Sequence, residues 1–257
     1  MKQAQTGVQP RLTPGARFEG SPASEFRLWI PPGGRKSYRL AQLDDYGGLP
    51  RQNFPWAPPC QITLQARLSH RSFPGTCGFG FWNAPLAIRL GFGADRSLPA
   101  FPQAVWFFFA GPENHLVLNK GEPAEGSLAA VYSSPEKISP AHILAGLLFP
   151  FVFWRPAAAR LRSYAGRVIH HRSASLLVDP MEWNEYQLHW SVDRTCFSVN
   201  GKVAMETELQ VLGPLGLVIW ADNQFAAFRP NDRLRFGALP CPDPAWLEVR
   251  RLKVEAV

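Results

Sequence analysis

The sequence is poor in charge and has none of the long apolar runs or short repeats that mark several protein classes. Only 18% of its 257 residues are charged, against about a quarter in an ordinary globular domain. The longest apolar stretch, 141–154, is shorter than the roughly 20 residues of a membrane-spanning helix and contains a histidine and a proline. No heptad or Gly-X-Y period is present, which excludes coiled coil and collagen.

Cysteine is also scarce, and its spacing excludes the usual zinc motifs. Cys60, Cys77, Cys196 and Cys241 form no CxxC pair, so we expect buried thiols and no zinc site. No cofactor is expected, apart from the structural calcium considered below. Residues 1–20 lack the apolar centre of a secretory signal peptide. We therefore expect a cytoplasmic protein.

Aromatic residues, glycine and proline are abundant. Phe, Trp and Tyr make up 12% of the chain, which also holds 21 Gly and 25 Pro. Disordered chains lack aromatics, and so many Gly and Pro residues would interrupt long helices. A β-rich globular protein with many turns is the class that remains.

Several segments have the patterns of β-strands. Segments 26–30, 62–68 and 186–192 alternate apolar and polar residues, which is typical of half-buried strands. Segments 78–83 and 104–110 are apolar on both faces and suit central strands. Further strands are predicted at 215–221 and 246–255. The Asn200-Gly201 pair favours a type I′ hairpin turn, because both residues tolerate positive φ. Together these patterns predict an all-β, two-sheet antiparallel jelly-roll sandwich.

The predicted strands leave two other regions. Residues 1–23 are polar and punctuated by proline, so we expect a loose N-terminal arm before a single domain over 24–257. Segment 139–172 opens with a Ser-Pro pair typical of a helix start and contains five arginines and no acidic residue. We interpret it as a helical insertion of two or three pieces. The adjacent His170 and His171 are placed in its basic helix, where they would diverge too far to share a metal.

The second half of the chain resembles a known superfamily. Trp183, Tyr186 and Trp190 share one predicted strand, which is followed by the Asn200-Gly201 hairpin, the 214–220 strand and the terminal 246–250 strand. This order is similar to that of the concanavalin A-like lectins and glucanases, especially the laminarinase-like glycoside hydrolases of family 16. The resemblance implies two stacked antiparallel sheets whose concave face holds sugar chains, and it allows a structural calcium.

The motif that gives this family its hydrolase activity is missing from the sequence. Family members carry Glu-x-Asp-x-(x)-Glu on one strand, so that the carboxylates point together into the cleft. The closest pairs here are Glu122/Glu125, Glu182/Glu185 and Glu206/Glu208, and none has that pattern. No catalytic residue is therefore assigned, and whether the chain is an enzyme stays open.

Aromatic and polar residues at the predicted strand ends form the candidate ligand site. Tryptophans in three aromatic strands could stack on a sugar ring, or could simply fill the space between the sheets. Polar residues after those strands could supply hydrogen bonds, and a carboxylate and imidazole could act as acid and base or lie in a solvated turn. The candidates are Trp82, Asn83, Trp106, Glu113, His115, Trp220, Asp222, Asn223 and Gln224.

The insertion has three interpretations. It could be a lid over the cleft that makes the site apolar, an interfacial element at a membrane, or a helix packed on a sheet. The residues that distinguish these interpretations are Phe149, Phe151, Phe153, Trp154, Arg155 and Arg160. Exposed aromatics would favour a membrane or partner surface. The apolar run before the arginines and the missing recognition motif argue against nucleic acid.

These observations favour one function over two alternatives. We expect binding of a carbohydrate or glycoconjugate in the concave cleft, without hydrolysis of the family type. The first alternative is an enzyme, a hydrolase, isomerase or cyclase, acting on an apolar or glycosidic small molecule beneath the insertion. The second is a protein that makes peripheral membrane contact or binds a partner through the insertion.

Overall fold

The computed structural model describes residues 7–85, 100–118, 121–135, 153–230 and 232–257. These residues contain one α-helix, α1 (Arg155–Val168), a short 3-10 turn at Arg51–Asn53, and sixteen strands. The strands are β1 (Gln9–Leu12), β2 (Arg17–Gly20), β3 (Glu25–Ile30), β4 (Leu40–Asp44), β5 (Cys60–Leu68), β6 (Thr76–Trp82), β7 (Ala104–Ala110), β8 (Gly126–Ser133), β9 (His170–Ser175), β10 (Asn184–Trp190), β11 (Thr195–Val199), β12 (Lys202–Thr207), β13 (Gly216–Asp222), β14 (Gln224–Ala227), β15 (Arg235–Ala238) and β16 (Ala245–Ala256).

The strands form two seven-stranded antiparallel sheets and one small hairpin. Sheet I has the order β1-β4-β13-β6-β7-β8-β9, and sheet II has the order β12-β11-β10-β5-β16-β3-β2. Strands β14 and β15 pair separately with each other. The predicted two-sheet antiparallel sandwich is therefore confirmed.

The core between the sheets follows from the period-two pattern of the strands. In β5 and β10 every second residue is buried, because successive side chains point to opposite faces of a strand. The ring of Phe107 from sheet I lies 5.0 Å from that of Tyr186 and 5.2 Å from that of Phe197, both from sheet II. Burying each such ring stabilises the fold by about 1.5–3 kcal/mol.

The predicted hairpin turn joins β11 to β12. Asn200 and Gly201 have φ values of 51° and 74°, as a type I′ turn requires. The Asn200 side chain also accepts a hydrogen bond from the backbone N–H of Glu185 at 2.8 Å. This bond ties the turn to strand β10.

The described N-terminal residues differ from the prediction of a loose arm over 1–23. Strand β1 pairs with β4, and β2 pairs with β3, so both belong to the sheets. They lie at or near sheet edges, where a proline such as Pro10 costs no interior ladder bond. Their short, polar sequences resemble loops because an edge strand buries little of its surface.

The insertion over 139–172 also differs from its prediction. Residues 139–152 lie outside the described residues, and α1 covers 155–168. His170 and His171 are not helical as predicted: they begin strand β9, which pairs with β8. The sequence of β9 lacks apolar alternation, so its pairing depends on the neighbouring strand rather than on a local signal. No helix in the described ranges is long and apolar enough to cross a membrane.

Candidate functional site

The outer face of sheet I, which points away from the core, is aromatic. Strand alternation places Trp82, Trp106, Phe108 and Trp220 on this face, opposite the core side chains of the same strands. The Trp106 ring lies 5.9 Å from that of Trp82 and 5.3 Å from that of Trp220. The Trp82 and Trp220 rings are nearly parallel, at 6° and 6.5 Å. The structure thus brings the three candidate tryptophans together.

Two glycines in strand β6 make room for these rings. A Cβ on Gly78 would lie 2.8 Å from the Trp220 ring, and one on Gly80 would lie 2.5 Å from Cα of Trp106. Gly80 also has a φ of 153°, which disfavours any other residue. The indoles therefore occupy space above β6 that side chains would otherwise fill.

The three indole N–H groups have different environments. Trp82 Nε1 donates to the Tyr46 hydroxyl at 2.8 Å, and Trp220 Nε1 donates to Thr76 Oγ1 at 3.1 Å. Trp106 Nε1 is buried and has no hydrogen-bond partner among the described residues. Trp220 is buried, whereas Trp82 and Trp106 are half-buried and present part of their rings to solvent.

A polar cluster on strand β4 borders the aromatic face on one side. Asp44 pairs with Arg11 at 2.6 Å and accepts a hydrogen bond from Gln42 at 2.8 Å, both through Oδ2. Its other oxygen, Oδ1, is buried and makes no hydrogen bond of good geometry to the described residues. Burial raises the pKa of Asp44, and Arg11, Gln42 and the backbone N–H groups of Gly47 and Tyr46 only partly oppose this effect.

His171 lies at the opposite side of the face, on edge strand β9. Its ring stacks on Tyr132 at 5.6 Å and 16°, and Tyr132 in turn contacts Trp106 at 6.1 Å. His171 is 1% exposed, and neither ring nitrogen has a hydrogen-bond partner in the part of the chain that the structure describes. Burial lowers its pKa, and Glu122 partly offsets this effect.

The buried side-chain atoms without partners all lie on this one face. Within the described residues they are Asp44 Oδ1, Trp106 Nε1, His171 Nδ1 and His171 Nε2. The strand register places all three residues on the outer side of sheet I. Leaving a buried polar group unpaired costs about 1–3 kcal/mol. The face thus combines aromatic surface with unmet hydrogen-bonding capacity.

The predicted polar partners use their hydrogen bonds within the fold instead. Asp222 accepts from the Thr76 hydroxyl at 2.8 Å and from the Gln224 backbone N–H at 3.1 Å. Asn223 is fully buried and bonds three backbone groups. Asn83 fastens the backbone of Phe101 and Gln103. Burial raises the pKa of Asp222 to about 7. These residues hold loops together, and Gln224 opens β14.

Glu113 and His115 lie apart from the aromatic cluster. Glu113 is exposed. His115 joins the 114–118 segment to the β14 strand, because its N–H donates to the Ala226 carbonyl and its own carbonyl accepts from Phe228. Burial and the nearby arginines Arg162 and Arg229 lower its pKa. Glu113 and His115 therefore lie in a turn region, and the described structure does not bring them to the tryptophans.

Three of the insertion residues singled out from the sequence, Phe153, Trp154 and Arg160, are exposed. Phe153 is 45% exposed and Trp154 is 62% exposed. Arg160 is exposed on α1, and Arg155 is the first residue of that helix. Phe149 and Phe151 lie outside the described residues. Phe153 and Trp154 are thus exposed, and the three interpretations of the insertion stay predictions.

Two carboxylates of this face among the described residues, Asp44 and Asp222, lie too far apart along the strands to act as a hydrolytic pair. Asp44 pairs with Val218 in the sheet, whereas Asp222 pairs with Leu40. This four-residue offset separates the two carboxylates by about 14 Å along the strands. Retaining glycosidases need about 5–5.5 Å and inverting ones about 6.5–9.5 Å between their carboxyl groups.

Carboxylates elsewhere in the described residues offer no metal site. No group of three or more His, Cys, Asp or Glu side chains among these residues could hold a metal ion. Glu248 binds Arg27 at 2.6 Å and Arg67 at 2.7 Å. The four cysteines are free thiols, and all but Cys196 are buried.

Comparison with known proteins establishes the fold. No protein-family model and no curated protein matches the chain. A glycoside hydrolase family 16 endo-glucanase from Bacteroides ovatus superposes with a TM-score of 0.53 at 9% identity, over 98% of this chain and 95% of that one. A legume lectin-like domain from Entamoeba histolytica gives 0.50 at 11% identity, over 98% and 90%. The fold is the concanavalin A-like jelly roll that the sequence resembles.

Proposed function

We propose that the aromatic outer face of sheet I binds a carbohydrate and does not hydrolyse it. One observation carries this proposal: the buried polar atoms that lack partners lie on the same face as two half-exposed tryptophans. A ligand for this face needs both a flat apolar surface and hydrogen-bonding groups. A pyranose ring has both.

Each part of the face suits a part of a sugar. The apolar C–H side of a pyranose can lie on Trp82 or Trp106, as ligands commonly lie on aromatic side chains in binding sites. Hydroxyl groups both donate and accept, so they can accept from Trp106 Nε1 and donate to Asp44 Oδ1. Neutral His171 offers one donor and one acceptor.

The positions of the Asp44 and His171 atoms without partners indicate the direction in which a ligand would extend over the face. Asp44 is on β4 and His171 is on β9, which lie five strands apart in sheet I. At about 4.8 Å per strand, the face extends for about 24 Å across the sheet. This length suits an oligosaccharide that runs across the strands better than a single sugar.

The atoms without partners are buried in the free protein. A ligand can therefore reach them only if the side chains packed around them move. We therefore expect sugar binding to change the environment of Trp106 and of the stacked Tyr132–His171 pair. Tryptophan fluorescence would report that change. The fold likeness to a lectin-like domain and a glucanase supports the ligand class only by analogy, because one fold hosts many functions.

Binding is tested by titrating the whole protein with a panel of neutral oligosaccharides in a calorimeter and a fluorimeter. Trp106→Phe removes the indole N–H and should weaken binding at least tenfold. Trp29→Phe is the matched control, because Trp29 lies on sheet II and its ring contacts Arg17. This variant should bind like the wild type. Binding of no sugar, or equal weakening by both variants, would contradict the proposal.

Hydrolysis is tested separately, by incubating the same oligosaccharides with the protein and measuring new reducing ends. We expect none, because Asp44 and Asp222 are too far apart to act as a pair. New reducing ends that disappear in Asp44→Asn would show that the face is catalytic. That result would overturn the non-hydrolytic part of the proposal and leave sugar binding intact.

A further inference from the structure

An aromatic patch outside the sugar-binding face lies where α1 begins. Phe153 precedes the helix, and its ring packs against Phe236 of strand β15 at 5.9 Å. Both rings remain open to solvent, at 45% and 38%, and the adjacent Trp154 is 62% exposed. These three residues form what we call the aromatic patch.

Contacts of Arg162 hold the helix that follows the aromatic patch in place. Arg162 of α1 donates to the backbone carbonyls of Val117, at 2.8 Å, and Phe228. Its guanidinium also lies 5.5 Å from the centre of the Phe228 ring. These contacts fasten α1 to the segment that follows β14, so the helix and the β14–β15 hairpin hold the patch from both sides.

The surroundings of the patch are strongly basic. Helix α1 and the 224–238 segment together hold seven arginines and one acidic residue, Asp232. Arg160 on the helix and Arg233 and Arg235 beside Phe236 are exposed. The Asp232 carboxylate accepts a hydrogen bond from the backbone N–H of Arg233 at 2.8 Å. The segments that carry the aromatic patch therefore also carry exposed positive charge.

We propose that the aromatic patch and its arginines dock on an anionic lipid surface. Tryptophan and phenylalanine insert at the level of the lipid headgroups, while exposed arginines are attracted to anionic lipids. The patch exposes on the order of 300 Å² of aromatic surface, well below the roughly 800 Å² per partner of a stable protein interface. A shallow lipid contact needs no larger area.

The test is co-sedimentation of the whole protein with lipid vesicles. Vesicles of phosphatidylcholine with 30% phosphatidylserine should bind the protein, and pure phosphatidylcholine vesicles should bind it at least tenfold less. Added salt should weaken binding to the anionic vesicles, because it screens exposed charges. No sedimentation with the anionic vesicles, or equal sedimentation with both vesicle types, would overturn the proposal.

Variants distinguish binding through the aromatic patch from nonspecific adsorption to vesicles. The double variant F153S/W154S should bind anionic vesicles at least tenfold more weakly than the wild type. The double variant R233Q/R235Q should bind them several-fold more weakly. Leu177→Ser is the control, because Leu177 is 97% exposed and belongs neither to α1 nor to the 224–238 segment, and it should bind like the wild type. Thermal unfolding checks that each variant is folded. If folded F153S/W154S bound as well as L177S, the assignment would be wrong.

Discussion

The ring of Trp220 lies over Gly78, where a side chain on residue 78 would otherwise stand. A Cβ at this position would be 2.8 Å from Cη2 of the indole and 2.3 Å from the carbonyl oxygen of Phe107. Gly78 stands between Trp220 and Phe108 in the sheet register, and the rings of those two residues are 5.9 Å apart. The aromatic face therefore depends on a residue that has no side chain of its own.

Replacing Gly78 should disturb both stability and the aromatic face. Gly78→Ala forces the Trp220 ring and the Phe107 backbone to move, and overpacking of this kind costs about 1–3 kcal/mol. Gly34→Ala is the control, because nothing lies within 4 Å of a Cβ there, and a change of at most about 0.5 kcal/mol is expected. Urea unfolding measures both variants. Equal stability of G78A and G34A would contradict the predicted clash.

The outer face of sheet II depends on a central carboxylate. Glu248 is 5% exposed and binds Arg27 and Arg67, whose guanidinium groups lie over the ring of Trp246 at 4.8 and 5.7 Å. Removing its charge by Glu248→Gln should destabilise the protein by about 1–3 kcal/mol at pH 7, since charged hydrogen bonds are lost. Glu206→Gln, which breaks an exposed pair with Arg194, should cost at most about 1 kcal/mol.

The same carboxylate predicts a pH dependence. Its hydrogen bonds with Arg27 and Arg67 hold the pKa of Glu248 below its usual value against the opposing effect of burial. The stabilisation is therefore complete above the unfolded pKa of about 4.3 and is lost as the pH falls through the folded pKa. Urea unfolding of wild type and E248Q should show a difference that shrinks below about pH 4. A constant difference would rule out the ion pair as its cause.

Strands could be predicted from the sequence where the order of apolar and polar residues follows directly from which faces are buried. Strand β5 alternates along its whole length, and β7 is apolar on both faces because one face lies in the core and the other belongs to the aromatic outer face. The interior strands β4 and β8 were missed although each buries four consecutive residues. The edge strands β1, β2 and β9 were missed because a strand with little buried surface needs no apolar alternation. These edge segments become strands because they pair with a neighbouring strand. The sequence of the segment itself does not reveal that pairing.

The candidate site was only partly predictable for a related reason. Trp82, Trp106 and Trp220 could be selected as aromatic residues in apolar strands, and they do lie together. Asp44 and His171 were missed because their importance rests on what they lack, a hydrogen-bond partner, and that is a property of the packed structure. Asp222 was selected for its place after a strand, yet the same place lets it fasten backbone groups.

Asp222 should make the protein less stable as the pH rises. Burial raises its folded pKa to about 7, above the unfolded value of about 3.9. Between these values the unfolded chain releases a proton that the folded protein keeps, so the free energy of unfolding falls with rising pH and levels off above pH 7. Asp222→Asn should flatten this fall in urea unfolding from pH 4 to 8. Asp243→Asn, at an exposed position, should keep the wild-type profile.

His171 should have the opposite pH dependence. Burial and the positive charges of Arg172 and Arg162 lower its pKa, and only Glu122 favours the charged form. Below the unfolded pKa of about 6.5, the unfolded chain takes up a proton that the folded protein resists, so this residue destabilises the fold as the pH falls. A phenylalanine at this position keeps an aromatic ring for Tyr132 and removes both unpaired nitrogens.

His171→Phe should therefore be more stable than the wild type, by about 1 kcal/mol at pH 7 and by more at pH 5. Urea unfolding across this range measures the difference, and His170→Gln, at the exposed neighbouring position, should follow the wild type. The same variant should bind oligosaccharide more weakly at pH 7, because the ligand loses a hydrogen-bonding partner. A stabilised H171F with unchanged sugar affinity would remove His171 from the proposed binding face and leave it a purely structural residue.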